Sequence, residues 1–80
     1  MKSLYDLYPA FFRWFAREFR RDHESGARYL LDCCRSPGSG SVVWAILKAT
    51  GDGVYTRETF LKAAKLCIEV GETAEKLEEV

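Results

Sequence analysis

The 80-residue chain has one histidine, two prolines, one methionine and no net charge. The single histidine and the zero net charge each count against a class of function. A lone histidine, His23, leaves little material for a histidine-based metal centre or a Ser–His machine. Zero net charge gives no bulk electrostatic pull towards nucleic acid or anionic membrane. No stretch approaches the roughly 20 apolar residues that span a bilayer. The N-terminus mixes aromatics and acids where a secretory leader would be smoothly apolar, so an intracellular, cytoplasmic location is expected. There is no internal repeat and no low-complexity tail. There are three cysteines, an odd count, with Cys33 and Cys34 adjacent. A disulfide framework prefers even numbers and wider spacings, so Cys33, Cys34 and Cys67 read as small apolar thiols in a reducing compartment.

The motifs of common chemistries are also missing. There is no nucleophile elbow, and Gly38-Ser39-Gly40 lacks the lysine and preceding strand of a phosphate loop. Zinc would have to combine His23 with Cys33, Cys34 and Cys67. Adjacent cysteines on a helix point about 100° apart, which is awkward for one tetrahedral ion. The acids at 69, 72, 75, 78 and 79 have the pattern of a solvated helix face, whereas paired catalytic carboxylates flank a cleft. No catalytic group, metal or cofactor is therefore expected.

What the chain does contain is apolar and aromatic weight: 48% hydrophobic residues and 14% aromatic. A domain this small buries only roughly 60% of its unfolded surface, so a dense core is required. The 30% charged content argues against disorder. A single all-α domain covering residues 1–80, a small bundle of about four helices, accounts for the patterning.

The first helix is expected over 9–23, starting at Pro9, where a missing N–H costs little. Leu4, Tyr8, Phe11, Phe12, Phe15 and Phe19 recur on one face at helical spacing, with Arg13, Arg17, Arg20 and Glu24 opposite. Ser25 and Gly26 then interrupt, and Ser25 is positioned to cap a second helix over 26–35. Ser36 to Gly40 forms a loop. Residues 42–50 are apolar almost all round, which predicts a buried central helix containing Trp44, Ile46 and Leu47. Their β-branched residues also allow a strand. Gly51-Asp52-Gly53 forces a turn. Thr56 caps a last helix over 57–78, whose stripe includes Phe60, Ala64, Cys67, Ile68, Gly71 and Ala74. Gly71 could end that helix as a C-cap, but it lies on the stripe, which favours a helix that runs through it with another helix approaching closely there.

Trp44 to Phe60 resembles an EF-hand helix–loop–helix, with Asp52 and Gly53 at the loop's fifth and sixth positions. That resemblance places Lys48, Thr50 and Thr59 at the first, third and twelfth positions, where oxygen ligands and a bidentate glutamate belong, so calcium binding is not expected. As a helix-turn-helix, the same segment would show Arg57, Lys62 and Lys65 to DNA together with Glu58, Glu69 and Glu72, a poor surface for phosphates.

One segment exceeds the needs of folding. Seven of the eleven aromatic residues lie between Tyr5 and Phe19, interleaved with and followed by Arg13, Arg17, Arg20 and Arg21. Trp14 falls off the apolar stripe, and Trp14, Arg17 and Arg21 line up at spacings of three and four. Tryptophan and arginine are the residues of interface hot spots. The strip Trp14, Arg17, Arg21, Arg13 and Arg20 therefore points to a non-enzymatic protein-binding module, adaptor or inhibitor acting on a larger partner. The same strip suits nucleic acid through stacking and phosphate contacts, which is the alternative. Its structural rival is internal, with Trp14 under the acidic C-terminal helix and the arginines paired to its glutamates. An amphipathic membrane helix would leave the rest of the chain short of core. So much aromatic surface in a short chain is also compatible with an isologous homodimer through the first helix.

Overall fold

The computed structural model describes residues 4–35, 41–50 and 56–78, and among them every regular element is helical. The order is α1 (Leu4–Leu7), α2 (Pro9–Phe19), α3 (His23–Arg35), α4 (Ser41–Thr50) and α5 (Arg57–Glu78). The expected all-α bundle is what is seen, with α1 as an additional single turn ahead of it. Residues 42–50 are helix and not strand. The loop at 36–40, the turn at 51–53 and the side chain of Leu4 lie outside the described residues.

Pro9 occupies the first turn of α2 as its chemistry dictates. That helix ends at Phe19, short of the expected 23. Arg20 still donates its backbone N–H to Ala16 O at 3.0 Å, and Asp22 then donates to Phe19 O at 3.0 Å as the chain turns. The reason for the early break is Asp22. Its carboxylate accepts from the backbone N–H of Ser25 at 3.2 Å and from the Ser25 hydroxyl at 2.7 Å. Asp22, not Ser25, thus caps α3, which starts at His23 and not at 26. Gly26 sits inside α3, facing Phe15 and Phe19. Thr56 caps α5 as expected, in a reciprocal pair with Thr59: each backbone N–H is 3.3 Å from the other's hydroxyl.

The hub of the bundle is α5, which packs against each of the other four helices. Its 22 residues give a rod of about 33 Å, and its inward positions are small: Ala63, Ala64, Cys67, Gly71 and Ala74 are buried. Small side chains let neighbouring backbones come close. The tightest approach is to α2, where Gly71 faces Phe12 and Ala16, as its place on the stripe predicts. Phe12 and Phe15 are fully buried and join Leu30, Val43, Ile46, Phe60 and Ile68 in the core.

The burial expected for α4 holds at Ile46 and Leu47 and is corrected at Trp44. Val43, Ile46 and Leu47 are buried, but Trp44 is 48% exposed. α4 packs on α5 and α3. A helix apolar on every side has a face left over once α5 and α3 have covered the other, and Trp44 lies on it.

Candidate functional site

The aromatic and arginine residues of α2 divide between two neighbours. Trp14 leans towards α3. Its ring centroid is 5.1 Å from Tyr29, 5.7 Å from Phe19, 6.2 Å from Phe11 and 6.3 Å from Phe15. The arrangements with Phe15, Phe19 and Tyr29 are edge-to-face, the favoured geometry for aromatic pairs. Four rings therefore fix Trp14, while 39% of it stays exposed. The expectation that Trp14 would be covered by the C-terminal helix is not met, because Tyr29 of α3 supplies the platform.

The arginines turn towards α5. Arg17 Nε and Arg20 Nη2 each lie 3.6 Å from the Glu75 carboxylate. Arg17 Nε also donates to Arg13 O at 3.4 Å, and Arg20 Nε to Ala16 O at 3.3 Å. The internal pairing with the acidic helix is thus present for Arg17 and Arg20. It is loose: Arg17 keeps 66% of its side chain exposed and Arg20 39%. Exposed ion pairs of this kind contribute about 0–1 kcal/mol. Arg13 is half-buried. Arg21 lies in the turn after α2, exposed, so the strip of Trp14, Arg17 and Arg21 does not continue along one helix.

Tyr29 was not legible as part of this surface, although it shares with Trp14 the one available signal: an aromatic residue set off its own helix's apolar stripe. Burial, followed by a hydrogen bond with Cys33, raises its phenol above the ordinary value. Burial also raises the Cys34 thiol, with Cys33 adding to the effect. Cys67 is fully buried on α5, and its thiol is pushed up to about 12. His23 begins the helix that carries Cys33 ten residues later, about 15 Å along the axis. Those two side chains therefore do not meet. Among the described residues, no three His, Cys, Asp or Glu side chains gather as a metal site would require. No helix there is long and apolar enough to cross a membrane. Thr59, at the twelfth position of the EF-hand resemblance, spends its hydroxyl on Thr56.

Helix α2 thus carries a part-exposed tryptophan among aromatic rings on its α3 side and two guanidiniums loosely held by one carboxylate on its α5 side. It has the groups to recognise a surface, with an apolar anchor and directional donors. Comparison with known protein families, curated proteins and solved structures finds no match to this chain.

Proposed function

We propose that this protein is a non-enzymatic binding module, an adaptor or inhibitor of a larger cytoplasmic protein, and that it docks through Trp14 with Arg17 and Arg21. Arg13 and Arg20 flank that contact. The observation that carries the proposal is the state of Trp14: held by four rings, yet 39% exposed. An anchor already ordered in the free protein loses little side-chain entropy on binding. Tryptophan and arginine together are what interface hot spots use. The loose Glu75 contacts leave the donors of Arg17 available to a better-placed acceptor.

The nucleic-acid alternative is less well supported. Glu18 lies on the same helix, and Glu75 sits against two of the arginines. Both carboxylates would repel phosphates.

The test is capture from a lysate of the native host, with mass-spectrometric identification. Trp14→Ala and the pair Arg17→Glu with Arg21→Glu are compared with the unaltered chain. One captured protein lost by both variants, with helical content intact, supports the proposal. Undiminished capture by the double variant would falsify the assignment. Recovery of heterogeneous DNA or RNA that falls steeply with salt would favour the alternative.

A further inference from the structure

Helix α5 carries a second stripe, which its own bundle leaves partly open. Leu66, Val70, Thr73 and Leu77 follow one another at spacings of four, three and four. Leu66 and Val70 are half-buried, Thr73 is exposed and Leu77 is 73% exposed. With Tyr5 and Asp6 of α1 as the opposite wall, they line a groove of about 460 Å³. Alternating steps of three and four make the seam of a coiled coil, with Leu66 and Thr73 at d and Val70 and Leu77 at a.

The two flanks of this seam differ. Cys67 and Ala74, at the e positions, are buried in the bundle. Glu69 and Lys76, at the g positions, are exposed, and among the described residues neither has an ion pair or hydrogen bond. Lys65 and Glu72, one turn before them, sit at c positions, away from the seam. Flanking charges of this kind set partner and orientation in coiled coils. A parallel pair of α5 helices joins g to e and would set Glu69 against the partner's Ala74. An antiparallel pair joins g to g. In the register that stacks Leu66 on the partner's Leu77 and Val70 on the partner's Thr73, Glu69 meets the partner's Lys76 and Lys76 meets the partner's Glu69. The seam is therefore complementary to itself in charge, and a two-fold axis repeats every contact. We infer that the groove takes a second copy of this chain, and that α5 pairs with the partner's α5 as an antiparallel homodimer through Leu66, Val70, Thr73 and Leu77.

The experiment is sedimentation equilibrium of the full chain from about 1 μM to about 1 mM, where a monomer–dimer equilibrium is expected. Glu69→Lys and Lys76→Glu each turn two attractive pairs into repulsive ones, so each should weaken the dimer about ten-fold. Mixed in equal amounts, the two variants should recover the original affinity, because every flanking pair is then of opposite sign. Leu77→Asp should abolish the dimer and, since Leu77 is exposed, keep its helical circular dichroism. The pair Arg17→Glu with Arg21→Glu should dimerise like the unaltered chain, so this inference and the docking proposal fail separately. A chain that stays monomeric throughout, single charge variants that dimerise undiminished, or a mixture no tighter than either variant alone would each overturn it. So would loss of the dimer in the arginine pair, which would put the interface on α2.

Discussion

Gly71 on α5 lies directly against the backbone carbonyl of Phe12 on α2. A β-carbon at position 71 would overlap that oxygen and come within 2.7 Å of Ala16 Cβ. Neither group can rotate away, so the two helices would have to separate. Gly71→Ala gains about 1 kcal/mol of helix propensity, but overpacking a tight contact costs about 1–3 kcal/mol. The expected outcome is a net loss of up to about 2 kcal/mol, read as a lower urea midpoint with an unchanged slope. Gly26→Ala is the control. Its nearest neighbours are the Phe15 ring at 3.0 Å and Phe19 Cβ at 3.1 Å. These contacts are less tight than the overlap at Gly71, so the squeeze should be offset largely by the gain in helix propensity and the loss should be smaller than that of Gly71→Ala.

Asp22 terminates one helix and starts the next, and its carboxylate is held below the ordinary value of 3.8 by the hydrogen bonds from the Ser25 hydroxyl and backbone. A depressed carboxylate contributes stability above its unfolded value, and that contribution is lost as pH falls through the folded value. Asp22→Ala should therefore melt at a lower temperature than the unaltered chain at pH 7. The gap should close well below pH 3.8. Circular dichroism melts at the two pH values decide this. A gap that persists in acid would mean that the cap acts without its charge.

Burial separates Trp14 from its neighbour Phe15. Phe15 is fully enclosed, and truncating such a side chain costs about 3–5 kcal/mol. A domain of this size has about 4–12 kcal/mol in total, so Phe15→Ala should lose a quarter of its stability or more. Trp14→Ala loses edge-to-face contacts worth about 0.5–1.5 kcal/mol each but opens no enclosed cavity. It should be the milder of the two and stay largely folded at 25 °C, with a loss of at most about 1.5–4.5 kcal/mol if its three edge-to-face contacts add. Equilibrium denaturation of the two variants side by side is the check, and it is what makes Trp14→Ala usable as a binding probe.

Cys67 should resist chemistry that reaches Cys33 and Cys34. It is buried, and its thiol is pushed up to about 12, whereas the other two are half-exposed. Iodoacetamide at neutral pH should modify Cys33 and Cys34 first, and Cys67 only on unfolding, as followed by peptide mass spectrometry. The sign of the pH effect follows. The folded state holds the Cys67 proton more tightly than the unfolded chain does. Stability is thus fully present below the ordinary value of 9.0 and declines as pH rises from there towards 12. A midpoint that holds steady between pH 9 and 11 would contradict this.

The Glu75 contacts should matter little for folding. Glu75→Gln is expected to change stability by less than about 1 kcal/mol. It should tighten partner capture through Arg17, because an internal competitor is removed. Weaker capture would mean that Glu75 orients the arginines and does not compete for them.

Local patterns were legible wherever the chemistry is local. Pro9 at a helix start, the Thr56 cap and the apolar stripe through Gly71 depend on neighbours a few residues away, and all three appear where the spacing puts them. The α2–α3 boundary was misplaced because Asp22 and Ser25 are both good capping residues. Only the turn geometry shows which of them accepts the hydrogen bonds. Ile46 and Leu47 of α4 are buried as expected and Trp44 is not, because hydropathy records how apolar a helix is and not which of its faces has a neighbour.

The sequence by itself determined that this chain is helical, where most helices run, that Phe12 and Phe15 face inward, and that Trp14 stands off their stripe. Periodicity decides those matters, and periodicity is a property of one helix. The tertiary structure alone decided that α5 is the hub, that Tyr29 and not the acidic helix supports Trp14, that Glu75 meets Arg17 and Arg20, and that Arg28 and Arg57 edge a common groove. Each of those joins residues far apart in the chain. Their meeting depends on how closely helices can approach, which is set here by a missing β-carbon at Gly71.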